Sequence, residues 1–239
     1  MHPHDRSTKF LSKINSCLRD NTRVVTKYIK VHPNDKSHEH AISKIQNESS
    51  KNTILVMSHG MSDAIHGAKG DKYEFSGEDL FHEHPDKYYY KKSFIDVNNI
   101  SIFKDKKVIC LSCNSNQKIA KNAIENGCLV FIGFGNIPSS VVELEDYGMN
   151  SKQGLSAKSV VQRFKTELNF IIKKTLEISI EKNYTFKSLV ALIKFISQQR
   201  ISLLAEDKRY RERYAVIELL YNFKQEVKLF GDQNMKLKS

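Results

Sequence analysis

Between Lys106 and Gly135 the chain reads KKVICLSCNSNQKIAKNAIENGCLVFIGFG, two uninterrupted apolar runs joined by a segment of helical periodicity. Runs such as Val108–Leu111 and Cys128–Ile132 suit strands covered on both faces, as in a parallel sheet, because a strand with one wet face would alternate polar and apolar residues. Between them Ile119, Ala120, Ala123 and Ile124 share one face of a helix. Asn114 and Gln117 have the spacing of a capping box, and Gly127 stands where a helix would end. The result is a strand, helix, strand unit with Cys113 at the carboxyl end of its first strand. In open parallel sheets ligands collect at that edge, and a helix amino terminus just beyond a thiol favours an anion there.

A second apolar strand, Ile54–Met57, runs directly into Ser58, His59 and Gly60. If the two strands are neighbours, about 4.8 Å apart, a thiol and an imidazole emerge side by side. Such a pair can act as nucleophile and general base and acid: the sulfur attacks a carbonyl carbon and the imidazole protonates the departing amine. The backbone N–H groups of Gly60 and Cys113 would receive the oxyanion, Gly60 letting the chain approach closely. Taken singly, a strand cysteine is more often a small core residue and a strand-end histidine is commonly structural.

Elsewhere, residues 8–19 have the spacing of an amphipathic helix through Phe10, Leu11, Ile14, Cys17 and Leu18, and Thr22–Val31 has the composition of a strand ended by Pro33. A short helix follows through Ala41, Ile42 and Ile45. Residues 61–105 are broken by Gly67, Gly70 and Gly77, with short strands expected at Ala64–His66 and Lys72–Phe75 and a helix from Ser76. This stretch is a candidate specificity region, although Tyr88–Tyr90 equally suit packing. Asn136–Gly154 is polar and turn-rich. Helices are then expected over Ser156–Lys182, from Thr185 to near Arg200, and over Tyr210–Phe223, with a last strand at Val227–Phe230. The expected class is α/β, one domain over residues 1–239, with 156–223 mostly helical and 226–232 a final strand.

With 40% apolar residues over 239 positions the chain can bury a full core. It has no apolar run of 18 residues, and MHPHDRSTKF lacks the apolar stretch of a signal peptide, so a cytoplasmic location without membrane association is expected. Three of the four cysteines, Cys110, Cys113 and Cys128, lie in apolar runs, which suits reduced thiols. The net charge of +11 invites a nucleic-acid reading, but the lysines are spread along the chain, and the one dense basic run is Lys208, Arg209, Arg211 and Arg213 around Glu212. A basic binding domain is therefore kept as the alternative to an enzyme. Cys110 and Cys113 form a C-x-x-C, which a redox pair or half a zinc site would also show. Cys110, however, falls inside the strand and should point away from Cys113. His-Glu-His occurs at 38–40 and 82–84, where solvated histidines compete with a metal site. No metal and no cofactor is expected.

Three motifs resemble the caspase-like cysteine peptidases of the CHAT type, with gingipain and separase more distant: ILVMSHG at 54–60, VICLSCNS at 108–115 with GCLVFIGFG after the helix, and LFGDQN at 229–234. Cys113 lies 54 residues after His59, near the separation of about 50 that caspases show. The third motif is similar to a Leu-Phe-Gly-Asp-Pro element, with Gln233 in place of the proline. The resemblance covers about residues 20–235. It implies a three-layer caspase-like sandwich, a mainly parallel sheet with helices on both faces. It also implies a cysteine endopeptidase with His59 as base and acid and Cys113 as nucleophile, acting on a protein substrate under control of a partner or of cleavage, in a defence or signalling system. A non-catalytic caspase-like binding module is the further alternative. Relatives that cut after arginine carry an acid soon after the strand equivalent to Leu129–Ile132; this chain has Asn136 there, and Glu143, Glu145 and Asp146 only later. Those acids could line a pocket for a basic side chain or simply cover a loop, and Asp63 could reach the cleft.

Overall fold

The computed structural model describes residues 1–73, 84–146 and 156–238. The chain opens with β1 (His2–Pro3), which pairs in parallel with β2 (Lys30–Val31); between them lie a 3-10 turn at Lys9–Leu11 and α1 (Ser12–Arg19). Helix α2 (Asp35–Gln46) follows, its first turn capped by the Asn34 side chain accepting from the Ser37 N–H. Strands β3 (Thr53–Met57), β4 (Lys107–Leu111) and β5 (Val130–Gly133) then run parallel, and β6 (Lys228–Gly231) closes the sheet antiparallel to β5, in the order β3-β4-β5-β6. Backbone bonds tie the small sheet to this one. The Met1 amino nitrogen donates to Leu55 O at 2.7 Å and the Met57 N–H to Met1 O at 3.0 Å, while the His2 N–H reaches Ile29 O at 2.9 Å. The order across the molecule is therefore β2-β1-β3-β4-β5-β6, mainly parallel.

The uninterrupted apolar runs are explained by cover on both faces. Leu55, Met57, Ile109, Leu111, Val130 and Ile132 face a core shared with α1 and three long helices, α6 (Ala157–Lys182), α7 (Phe186–Glu206) and α8 (Arg213–Glu226). Ile54, Val56, Val108, Cys110 and Phe131 face a second core with α2, a 3-10 turn at Ile100–Phe103 and α4 (Lys118–Glu125). Alternate residues of each strand thus enter opposite cores. The short helices α3 (Pro85–Tyr88) and α5 (Val141–Asp146) complete the elements.

Helix α6 carries one buried ionic cluster. Glu167, 1% exposed, accepts from Arg163 Nε at 2.8 Å and, on α7, from Arg200 Nε at 2.6 Å and Nη2 at 3.1 Å. Removing its carboxylate would strand two guanidinium groups. Glu167→Ala should cost about 3 kcal/mol of stability in a urea titration; a change within about 0.5 kcal/mol, typical of surface sites, would show that the cluster contributes little.

Several sequence expectations need correction. The strand expected over Thr22–Val31 is confined to Lys30–Val31, because β1 supplies a backbone partner only there; Val25 is instead 96% exposed. Ala64–His66 is not a strand but a bridging turn in which Ile65 pairs singly with Gly60 and Ile95. The turn-rich segment after Gly135 contains α5. Helix α7 continues past Arg200 to Glu206 because Leu204 is buried in the first core, and the last helix starts at Arg213 rather than Tyr210. The later part of the Lys72–Phe75 strand, the helix from Ser76, residues 82 and 83 of the second His-Glu-His, and the Asp146 side chain lie outside the described residues. Among the described residues no helix is long and apolar enough to cross a membrane.

Candidate active site

Strands β3 and β4 are neighbours in register, Met57 opposite Leu111, and the Ser58 N–H extends the ladder by one bond to Leu111 O at 3.2 Å. His59 and Cys113 therefore leave the sheet at the same level, each two residues beyond that pair. Gly60 makes the approach possible. A Cβ there would collide with Ser112 Oγ and lie 3.1 Å from the Cys113 carbonyl oxygen. Gly60→Ala should accordingly push the two loops apart and slow Cys113 alkylation by about tenfold or more, since about 1.4 kcal/mol of misplacement suffices. An unchanged alkylation rate would show that the loops yield without cost.

Beyond Cys113 the chain turns through Asn114, which takes a left-handed conformation at φ 56°. The turn is pinned to the end of β5: Asn114 N–H donates to Gly135 O at 2.9 Å, and Ser115 Oγ donates to Cys110 O at 2.7 Å while accepting from the Phe134 N–H at 2.9 Å. The helix does not start at the thiol as the Asn114 and Gln117 spacing suggests. It begins at Lys118, and Gln117 uses its side-chain amide to donate to Asn114 Oδ1 at 3.2 Å instead of capping the first turn. The sulfur is held by the Ile137 backbone, lying 3.4 Å from both Ile137 N and Ile137 O. Among the described residues, neither the Gly60 N–H nor the Cys113 N–H has a hydrogen-bond partner. Both donors are without other engagement, as an oxyanion site requires.

His59 stands between two acids. Its Nε2 contacts Ser7 Oγ closely and lies 3.4 Å from Asp5 Oδ1, and Ser7 Oγ in turn donates to Asp5; its Nδ1 lies 3.5 Å from Glu143 Oε1. Burial opposes the imidazolium, but the contacts with the Asp5 carboxylate, which accepts from the ring, and with Cys113, together with the charges of Asp5 and Glu143, outweigh it and raise the pKa to about 10. Burial likewise works against the Asp5 carboxylate, and the His59 and Ser7 contacts win, holding it well below the usual range. The pair is an ion pair throughout neutral pH. Behind it, burial and then the charge of His59 push His66 down to about 4, so its ring is neutral beside the Tyr90 hydroxyl, 2.7 Å from Nδ1.

Comparison with protein-family models, curated proteins and solved structures finds no significant match to this chain. The geometry stands alone.

Of the residues singled out by sequence, His59, Gly60, Cys113 and Glu143 are brought together. Glu143 is committed within the site: one oxygen faces His59 and the other accepts from Ser139 N–H at 2.5 Å and Oγ at 2.9 Å. Asn136 lies next to Ile137, its N–H donating to Glu226 Oε2 at 3.0 Å. Asp63 and Glu145 are exposed, and neither touches the dyad. Asp5, Ser7 and Ile137 went unrecognised in the sequence. HPHDRST carries two polar residues around an arginine, a pattern found on any solvated turn, and nothing local shows that it folds back over His59. Cys110 faces the second core whereas Cys113 borders the first, so the C-x-x-C is not a redox pair, and all four cysteines are thiols. His38 in the first His-Glu-His is a buried structural residue, its Nε2 accepting from the Ala68 N–H at 3.0 Å. Among the described residues no three His, Cys, Asp or Glu converge as a metal site.

Proposed function

We propose that this chain is a cysteine endopeptidase of the caspase-like, CHAT type, with Cys113 as nucleophile and His59 as its acid and base. The observation that carries the reading is the register of β3 on β4, which brings the two residues to one sheet edge. The two-sided, mainly parallel sheet supports the fold part of the reading.

In the reaction the Cys113 proton resides on His59, and the sulfur attacks the carbonyl carbon of the scissile bond. The carbonyl oxygen takes up the negative charge and is received by the Gly60 and Cys113 N–H groups. The imidazolium then gives its proton to the leaving amine as the C–N bond breaks, and a thioester remains. Water attacks the thioester, His59 takes up a water proton, and the carboxylic acid departs from sulfur. Asp5 holds the ring's orientation and stabilises its charge without itself accepting the proton. The substrate is a protein; control by a partner or by cleavage, and a place in a cytoplasmic defence or signalling system, belong to the same proposal.

Iodoacetamide labelling of the folded protein, read by peptide mass mapping, should modify Cys113 ahead of Cys17, Cys110 and Cys128. Cys110 and Cys128 are buried, and burial raises both thiols to about 12; burial with the Glu177 carboxylate raises Cys17 to about 11. Equal labelling, or preference for Cys17, would remove Cys113 as the nucleophile.

A further inference from the structure

We infer that a slot beside β3 binds an extended, acid-flanked peptide as an added strand. The inference rests on none of the catalytic assignments. Met1 sits between Leu55 and Met57 of β3 on one side, and β1 pairs with β2 on the other, so β1 occupies one strand position between them. A cleft of about 450 Å³ is lined by residues 24–29 and by Thr53–Leu55 of β3. Its volume falls in the range of ligand pockets, and three extended residues span about 10 Å.

Both walls have unused strand capacity. The Ser58 N–H bonds Leu111 O, so even-numbered residues turn their backbone groups toward β4, and Thr53, Leu55 and Met57 turn theirs away. The Met57 N–H and the Leu55 carbonyl are taken by Met1. Among the described residues nothing pairs with the Leu55 N–H or the Thr53 carbonyl. The opposite wall, Val24 to Ile29, has strand composition yet forms no ladder. An inserted strand would satisfy the free edge of β3 by main-chain bonds, the general mode of strand addition.

The lining defines the occupant. Leu18, Leu176 and Ile180 line the slot from one helical layer and Ile45 from the other, so successive side chains of an inserted strand would meet apolar surface on alternate faces. Around them stand Arg23, already paired with Glu181, and Lys27, paired with Glu48, together with Lys44, Lys51 and Lys238. Lys44 and Lys51 are exposed and make no ion pair among the described residues. An apolar centre with acidic flanks complements this arrangement.

The test is fluorescence anisotropy of a labelled, capped peptide, Glu-Glu-Val-Ile-Val-Leu-Val-Glu-Glu, titrated with the full chain carrying Cys113→Ala so that cleavage of the probe plays no part. Saturable binding is expected, with the Leu55 amide slowed in hydrogen exchange. Lys44→Glu with Lys51→Glu should weaken binding about tenfold, with circular dichroism verifying that the surface variant folds. N-methylation of alternate peptide nitrogens should abolish binding while leaving the side chains intact. Absence of saturable binding, binding that survives N-methylation and charge reversal, or unchanged Leu55 exchange overturns the proposal. Displacement by a dansyl-labelled fatty acid of a peptide that leaves Leu55 unprotected would also overturn it, in favour of an amphiphile pocket.

Discussion

Cys113→Ala should abolish cysteine-dependent cleavage of a proteome-derived peptide library, lowering the rate by about 10³-fold or more, while leaving the fold in place. The expected stability cost is small, about 1 kcal/mol, because the sulfur is half-buried at the sheet edge and its neighbours Asn114 and Ser115 are held by their own bonds to Gly135, Cys110 and Phe134. Thermal unfolding beside the cleavage assay separates the two effects. His59→Ala should lose as much, and the double variant no more than either alone, because nucleophile and acid act as one unit. Library cuts that persist in Cys113→Ala would refute the nucleophile assignment. Retention of nucleic acid that is salt-sensitive and unchanged by this substitution would favour the basic binding domain instead.

Asp5→Asn should release His59. The wild-type imidazole titrates at about 10 against an ordinary 6.5, with Asp5 its strongest favourable partner. Replacing that carboxylate should lower the value by about 1 to 3 pH units, read from the ring proton shifts by NMR. The folded state holds the His59 proton more tightly than the unfolded chain, so this contribution to stability is fully present below pH 6.5 and is lost as pH rises through about 10. Asp5 works in the other direction: its depressed value contributes stability above its ordinary 3.8 that is lost as pH falls below it. The ion pair therefore stabilises the fold most between about pH 4 and 6.5, and the stability advantage of wild type over Asp5→Asn should be largest there. A His59 titration unchanged in Asp5→Asn would show that Glu143 and Cys113, not Asp5, hold the proton.

The central unit was legible because its signals are local. Val108–Leu111 and Cys128–Ile132 are apolar at every position, which only a strand covered on both faces tolerates, and Gly127 stops the intervening helix with φ 89°. The same reasoning applied to Ile54–Met57 and to the helices after Ser156, the first two of them opened by a hydroxyl residue, Ser156 or Thr185, whose side chain accepts from the third residue on. Thr22–Val31 misled because strand composition expresses a capacity for pairing, and among the described residues β1 forms a ladder only with Lys30 and Val31; β-branched residues alone do not make a ladder. Asn114 and Gln117 misled for a related reason. Their spacing fits a capping box, but bonds from Asn114 and Ser115 to the end of β5 hold the turn open and delay the helix to Lys118.

By itself the sequence determined the α/β pattern, the strand ends that carry His59 and Cys113, and the glycine between them, because periodicity and strand length are properties of consecutive residues. Only the tertiary structure decided that β3 and β4 are neighbours in register, that Asp5 and Ser7 fold over His59, and that Glu143 faces its other nitrogen. Asp5 and His59 are far apart along the chain, and so are His59 and Glu143. Their meeting depends on how β1, β3 and the loop after β5 pack, and no local pattern encodes it. The charge state of the imidazole, and with it the chemistry available to Cys113, follows from those contacts.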